Sequence, residues 1–383
     1  MAGRRPSTGA DLLDADYADV GRFNPKGLIA ERVGAEISKR YDINTKEIGS
    51  GGYGKVFRGI PTKLGMQRIA GLEDGKRYAV KRMKLSLPEP FDRSMVVLSA
   101  ERQLRILDVM QSEACEAAFV TKCFMFLIEI PHYLFEVMEL LEGPDLLDFL
   151  GTSTQTLGED LAARLVFQML TAVNFLHRSV GVLHRDIKPE NLAFARPIPR
   201  DGDGLPSDLP PLKLFDFGLA WALPEVVTDE TAHTLIELPR AGTPLYMAPE
   251  AWLGRFGPPC DIWGTGVLAH VMLTLGLPFG MPRCKSISEA VRKNALEFDD
   301  NNWADISVEG REFVSRALEK DAAKRPSASE LLLSYWLTSV DQRRGPPRPR
   351  AATMPALARS RADGPSTGSM VLLPVAAGKS AVV

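Results

Sequence analysis

Apolar and polar positions alternate differently in the two halves of the chain. From Tyr41 onward short alternating apolar runs broken by glycines predict antiparallel strands, and two further strand-like runs fall at Phe119 to Ile128 and Tyr133 to Leu140. Between them a helical period covers about Arg93 to Met110, and an earlier one is confined to Leu28 to Ile37. After Leu146 the 3.6-residue period dominates, as in Asp160 to Arg178 and Val308 to Leu318. A strand-rich half followed by a helix-rich half predicts an α+β fold of two lobes. Pro61 to Gly75 and Arg196 to Pro211 break the pattern as loop insertions, the second rich in proline, glycine and aspartate. We expect a partly disordered N-terminal tail over 1–40, a folded domain over 41–337, and a disordered Pro/Arg-rich tail over 338–383.

Composition narrows the picture only slightly. The 383 residues are 45% hydrophobic and 25% charged with a net charge of −2, ordinary for a globular chain and no basis for nucleic-acid or membrane binding. Ala117 to Leu141, the most apolar stretch, is interrupted by Lys122, Glu129, Pro131, His132, Glu136 and Glu139, so no bilayer span is expected. The opening Met-Ala-Gly-Arg-Arg lacks the apolar core of a signal peptide, and Ala2 stands where myristoylation needs glycine. Cys115, Cys123, Cys260 and Cys284 have no metal-ligand spacing and read as reduced, mostly buried thiols of a cytoplasmic or nuclear protein, which we expect to be monomeric. Asp14 to Gly21 fails the ligand spacing of a calcium loop.

Chemistry concentrates in motifs. Ile48-Gly49-Ser50-Gly51-Gly52-Tyr53-Gly54-Lys55-Val56 is a glycine run able to approach phosphates closely, and alone it admits three readings. A Rossmann turn would open a helix, whereas the next residues look like a strand. A Walker loop would need a hydroxyl where Val56 stands. A glycine-rich hairpin suits Val56. Tyr78-Ala79-Val80-Lys81 then sets a lysine in a short strand, and Ser99-Ala100-Glu101-Arg102 sets an acid on the following helix. Downstream come His184-Arg185-Asp186-Ile187-Lys188-Pro189-Glu190-Asn191, Asp216-Phe217-Gly218, Gly242-Thr243-Pro244-Leu245-Tyr246-Met247-Ala248-Pro249-Glu250 and Lys324-Arg325-Pro326.

This ordered set, over about three quarters of the chain, resembles the eukaryotic serine/threonine protein kinases. In finer texture it is similar to the calcium/calmodulin-dependent and calcium-dependent group, without an EF-hand array. The resemblance implies a bilobal fold with a small antiparallel N-lobe (41–138), a hinge (139–145) and a mostly helical C-lobe (146–337). It implies ATP and Mg2+ as cofactors and protein substrates with Ser/Thr acceptors. Asp186 becomes the catalytic base and Lys188 the partner of the transferring phosphoryl group, with Asn191 and Asp216 on the metal. Ile48 to Val56 cover the nucleotide, Lys81 grips its phosphates and Glu101 holds Lys81. Arg105 stands four residues on from Glu101, where the family usually has an apolar residue. Met138 becomes the gatekeeper. The Glu139 and Leu141 backbones meet adenine between Ile48, Val56, Ala79 and Ala193, and Asp145 reaches the ribose. Thr243 is to touch Asp186, Asp261 to brace the catalytic loop, and Glu250 to pair with Arg325. Gly264 replaces a serine and is expected to matter little.

Glu142, Asp145, Asp148 and Glu190 form an acidic set suited to basic-directed substrates. The presence of Lys81, Asp186, Asn191 and Asp216 together argues against a scaffold that has lost transfer, and the docking loop 242–250 argues against a small-molecule phosphotransferase. Arg185 is expected to meet a phosphate on Thr228, Thr231 or Thr234, unless Glu225, Asp229, Glu230 and Glu237 already order that loop.

Overall fold

The computed structural model describes residues 29–30, 35–51, 54–69, 71–84, 114–129, 133–151, 157–199, 209–280 and 284–339. The N-terminal half is built on β1 (Ile29–Ala30), α1 (Ala35–Arg40), β2 (Tyr41–Gly51), β3 (Gly54–Pro61), α2 (Lys63–Arg68), β4 (Tyr78–Lys84), α3 (Ala114–Ala117), β5 (Cys123–Glu129) and β6 (Tyr133–Glu139). Five of its strands form an antiparallel sheet in the order β5-β6-β4-β3-β2, and β1 adds in parallel along the β5 edge. Period-two patterning divides the sheet. Tyr78, Val80, Phe135 and Val137 face outward onto Ile37 and Tyr41 as a small core. The intervening residues Ala79, Lys81, Glu136 and Met138 face the other lobe, with Ala79 opposite Met138 and Lys81 opposite Glu136.

Two expectations change here. The early helix occupies 35–40 rather than 28–37, and Ile37 is buried in the N-lobe core, so the lobe begins before Tyr41. The local period could not register that Ile29 and Ala30 pair with a sheet edge. The insertion at 61–75 is not simply a loop. Thr62 caps α2 by accepting from the Gly65 N–H, and its own N–H donates to the Arg40 carbonyl at 2.8 Å. Gly65 passes so close to that carbonyl that a Cβ would lie 2.2 Å from it. Ile69 and Leu72 then pack on the outer-face core. The helix expected at Arg93 to Met110 and 340–383 of the C-terminal tail lie outside the described residues, as do 1–28 and 200–208 of the second insertion, while Thr338, expected in the tail, still belongs to the last helix and Ser339 is buried.

The C-terminal half holds α4 (Leu146–Gly151), α5 (Glu159–Phe175), β7 (Val182–Leu183), β8 (Leu192–Phe194), β9 (Leu212–Leu214), β10 (Trp221–Ala222), β11 (Ile236–Glu237), β12 (Arg255–Phe256), α6 (Pro258–Thr274), α7 (Ile287–Lys293), α8 (Asp300–Trp303), α9 (Val308–Ala317), α10 (Ala328–Leu332) and α11 (Tyr335–Thr338). Every residue of α6 from Pro258 to Leu273 is buried, as expected of a helix apolar on all sides, and α5 and α9 pack around it. Trp263, Trp303 and Trp336 fill this core. Beyond Phe175, α5 widens into a π turn, Leu176–Val180, closed by Gly181 at φ 72°. Among the described residues no helix is long and apolar enough to cross a membrane.

Candidate active site

β2 and β3 pair antiparallel with Gly51 opposite Gly54, which decides the reading of the glycine run: a strand and not a helix follows it. Gly54 sits at φ 149°, and a Cβ there would lie 2.4 Å from the Arg82 carbonyl, so only glycine fits. Gly49 is opposite Val56, Lys55 pairs with Glu47 at 2.8 Å, and Ile48 is exposed. Gly52, Tyr53 and the Ser50 side chain lie outside the described residues. Val56 is the other cross-strand neighbour of Lys81, so Val56, Ala79, Lys81, Glu136 and Met138 share the inner face.

Opposite this face stands the loop between β7 and β8. Asp186 is 5% exposed and its carboxylate is fully engaged. One oxygen accepts from the Thr243 N–H (2.9 Å) and hydroxyl (2.7 Å). The other accepts from Asn191 Nδ2 (3.1 Å) and lies 2.8 Å from Lys188 Nζ. Lys188 also donates to Thr243 Oγ1 at 2.9 Å, closing a ring of three polar side chains. Arg185 at φ 69° and Asp216 at φ 64° hold left-handed backbone that non-glycine residues rarely adopt.

What fixes this strained loop is buried charge. Asp261, at the start of α6, accepts from the His184 and Arg185 N–H groups at 2.9 and 2.8 Å and meets His177 Nε2 at 2.8 Å. Burial opposes its ionisation, but the His177 contact and the loop N–H outweigh it, and the Asp261 carboxyl lies below the ordinary range. The π turn at the end of α5 delivers His177 to this contact. Glu250 and the fully buried Arg325 form a two-point pair at 2.5 and 3.1 Å, and Arg325 further donates to the Pro259 and Glu319 carbonyls. Gly264 matters more than expected: a Cβ there would lie 2.9 Å from Ile187 Cβ in the catalytic loop, so glycine allows α6 this approach.

Asp216 is held by Lys81, whose Nζ lies 2.5 Å from its Oδ1. Burial raises the Asp216 carboxyl, but the Lys81 ammonium more than reverses this and keeps it below its ordinary value. Phe217 is buried edge-on against His184. Glu101 and Arg105 lie outside the described residues. The inner face instead reveals a carboxylate the sequence reading did not single out, Glu136, 2% exposed and in register with Lys81. Burial pushes its carboxyl up to about 7, only partly offset by the Lys81 charge. Its signal in the sequence was an acid inside the buried run Leu134–Met138.

At the hinge Lys213, itself buried, donates to both Glu139 oxygens at 2.7 and 2.8 Å and ties β6 to β9. The Glu139 N–H donates to the Lys122 carbonyl, so it is not available to a ligand. Asp145 Oδ1 accepts from the Asp148 N–H at 2.7 Å and caps α4, while its backbone bridges to Ala193. Ala79, Met138 and Ala193 are buried and apolar, and Leu141 is half-buried. Of the acidic set, Glu142 is paired with Arg77 at 2.6 Å, and Glu190 has a buried Oε2 without a hydrogen-bond partner. Burial raises the Glu190 carboxyl.

The segment after Asp216 is ordered by its own contacts. Arg185 donates to the Pro239 and Leu219 carbonyls at 2.7 and 3.4 Å, and its guanidinium lies 4.3 Å from the Phe256 ring centre. Asp229 pairs with Arg178, and the Thr228 hydroxyl donates to Glu230 at 2.6 Å. Thr228, Thr231 and Thr234 therefore sit in a loop whose expected phosphate partner, Arg185, is already engaged elsewhere.

Asp216 and Asn191 offer hard oxygen donors. The Asn191 amide nitrogen is committed to Asp186, which leaves Oδ1 as its atom for a cation. Mg2+ binds through one or two such groups plus phosphate oxygens and water, so the pair fits that ion. Among the described residues no group of three or more His, Cys, Asp or Glu side chains could hold a metal by itself.

A family model described as protein kinase domain matches residues 43–337. The chain is 29% identical to CDPK-related kinase 3 of Arabidopsis thaliana over 304 residues, covering 79% of this chain and 45% of that protein. It is 35% identical to a CDPK-related protein kinase of Daucus carota over 53% of this chain and 31% of the relative. Calcium-dependent protein kinase 3 of Plasmodium berghei (strain Anka) is 26% identical over 85% of this chain and 51% of its own length. The chain thus spans about half or less of the curated relatives it matches.

Proposed function

The chain belongs to the protein kinase family, and on that premise we propose that it transfers the γ-phosphoryl group of ATP to serine and threonine hydroxyls of proteins. The observation that carries this reading is the closed contact set of Asp186, Lys188, Asn191 and Thr243. An acceptor hydroxyl entering it meets Asp186 as the group that orients it and takes its proton. Lys188, beside Asp186, places a positive charge where the transferring phosphoryl group gains negative charge. Lys81 binds the α- and β-phosphates, and the β2–β3 hairpin covers them with backbone. The inner-face apolar residues Val56, Ala79 and Met138, with Ala193 opposite, sandwich the base. Mg2+ on Asp216 and Asn191 would neutralise phosphate charge and fix the phosphates in line.

Acceptor choice follows the remaining acids. Glu190 and the exposed Asp148 favour basic residues near the acceptor, whereas Glu142 is partly spent on Arg77.

The test is incubation with Mg-ATP and a degenerate peptide library, with the modified residues read by mass spectrometry. We expect phosphoserine and phosphothreonine. Asp186→Asn should lower transfer by roughly 10² to 10⁴ while the melting shift caused by nucleotide persists. Transfer by that variant at the parent rate would remove Asp186 as the base.

A further inference from the structure

His177 is bonded on two sides by different parts of the chain. Its buried side chain meets Asp261 at 2.8 Å, and Asp261 in turn accepts from the His184 and Arg185 N–H groups. Its carbonyl accepts from the Val227 N–H at 2.9 Å. Val227 belongs to the segment after Asp216, so this one histidine joins that segment to the brace beneath the catalytic loop. It lies in the π turn Leu176–Val180. Such a turn departs from the regular ladder of the helix that carries it, and π turns recur at functional sites.

The segment grips the turn along its length. Trp221 and Ala222 pair with Leu183 and Val182, and the Leu223 N–H donates to the Gly181 carbonyl at 2.7 Å. At Gly181 a Cβ would lie 3.1 Å from the Glu225 carbonyl, so a side chain there would press the two stretches apart. Val227 is buried, whereas its neighbour Val226 is 45% exposed. Asp229 pairs with Arg178, the residue after His177. An exposed pair of this kind contributes little, so the buried valine and the backbone bonds are the anchor. Further along, Ala232 is buried and the His233 ring meets the Ala322 carbonyl at 3.3 Å.

We propose that residues 223–229 are a positioning element for the catalytic loop, with Val227 as the positioning residue, acting through the π turn. Their docking holds His177 against Asp261, and Asp261 holds the loop that bears Asp186. The consequence for transfer rests on the reading of Asp186 as the base. The residues assigned to the nucleotide lie on other elements, so loss of the docking acts on kcat and not on ATP binding.

The test follows the full chain by steady-state transfer to one peptide with Mg-ATP and by backbone amide exchange. Transfer by the parent checks the underlying reading by itself, and the exchange arm needs no activity. Val227→Asp puts a charge into a buried position and releases the segment. Val226→Asp, on the exposed neighbour, is the control. In Val227→Asp we expect faster exchange over 223–229 and at the His184 and Arg185 amides. Its kcat should fall roughly 3- to 30-fold with KM for ATP unchanged. Val227→Ile and Val226→Asp should keep the parent values. Melting curves verify folding, and Val227→Ala makes the same comparison in milder form if the aspartate variant does not fold. A released segment with parent kcat and parent exchange at His184 and Arg185 would overturn the proposal. So would a rise in ATP KM as large as the fall in kcat, which marks general damage to the site.

Discussion

Each lobe buries a glutamate, and the two are treated in opposite ways. Glu250, in the C-lobe, meets Arg325 through two contacts, and Arg325 spends its other donors on carbonyls. Glu136, in the N-lobe, has a thiol at 3.9 Å and a lysine opposite that is already held by Asp216. The first is a finished structural joint that locks the 242–250 segment to the last helices. The second is an open valence facing the cleft. A fully satisfied buried pair makes a rigid element, while a poorly partnered buried acid has its ionisation opposed by its surroundings. The same division runs through the whole site. Asp261 is saturated by near neighbours, whereas Lys81 has among the described residues a single ion-pair partner, Asp216.

The largest effect should come from breaking the finished joint. Arg325→Leu strands Glu250 in the core, and we expect a loss of about 3–5 kcal/mol, read as a collapse of the denaturant midpoint together with all transfer. A midpoint within the parent's error would mean that the pair is not what secures the lobe.

Neutralising the open valence should do the reverse, and with a pH dependence. The Glu136 carboxyl moves from an ordinary 4.5 to about 7 on folding. Below about pH 4.5 it is protonated in both states and Glu136→Gln changes little. As pH rises toward 7 the unfolded chain ionises more readily than the folded one, so the parent loses stability that the glutamine variant keeps. A displacement from 4.5 to about 7 amounts to roughly 3 kcal/mol at most. Melts at pH 5 and pH 8 should show the variant's advantage growing between them; an advantage that stays constant would assign it to packing.

The smallest effect concerns the segment after Asp216. Because Arg185 is occupied by Pro239, Leu219 and Phe256, protein expressed with and without a phosphatase should phosphorylate one peptide at equal initial rates. A rate that follows occupancy of Thr228, Thr231 or Thr234 would show that the self-made contacts are an inactive arrangement.

The amino-acid sequence by itself marked the His184–Asn191 run, the oxygen-bearing candidates Asn191 and Asp216, the glycine run and the two-lobed division, because these depend on residue types at short, fixed spacings. Alternation of the inner and outer faces of β4 and β6 was equally legible, since the strand period is local. Tertiary structure alone decided the rest. The Lys213–Glu139 tie joins positions 74 residues apart, and the reach of α6 onto Ile187 appears only when Gly264 is placed beside it. The N-terminal segment became strand and helix because a sheet edge and the Thr62 turn were waiting for it. Glu136 shows the limit most clearly. Its identity and its strand were readable, but its cost depends on which charges surround it, and those are brought together from β4, β5 and the Asp216 loop only by folding.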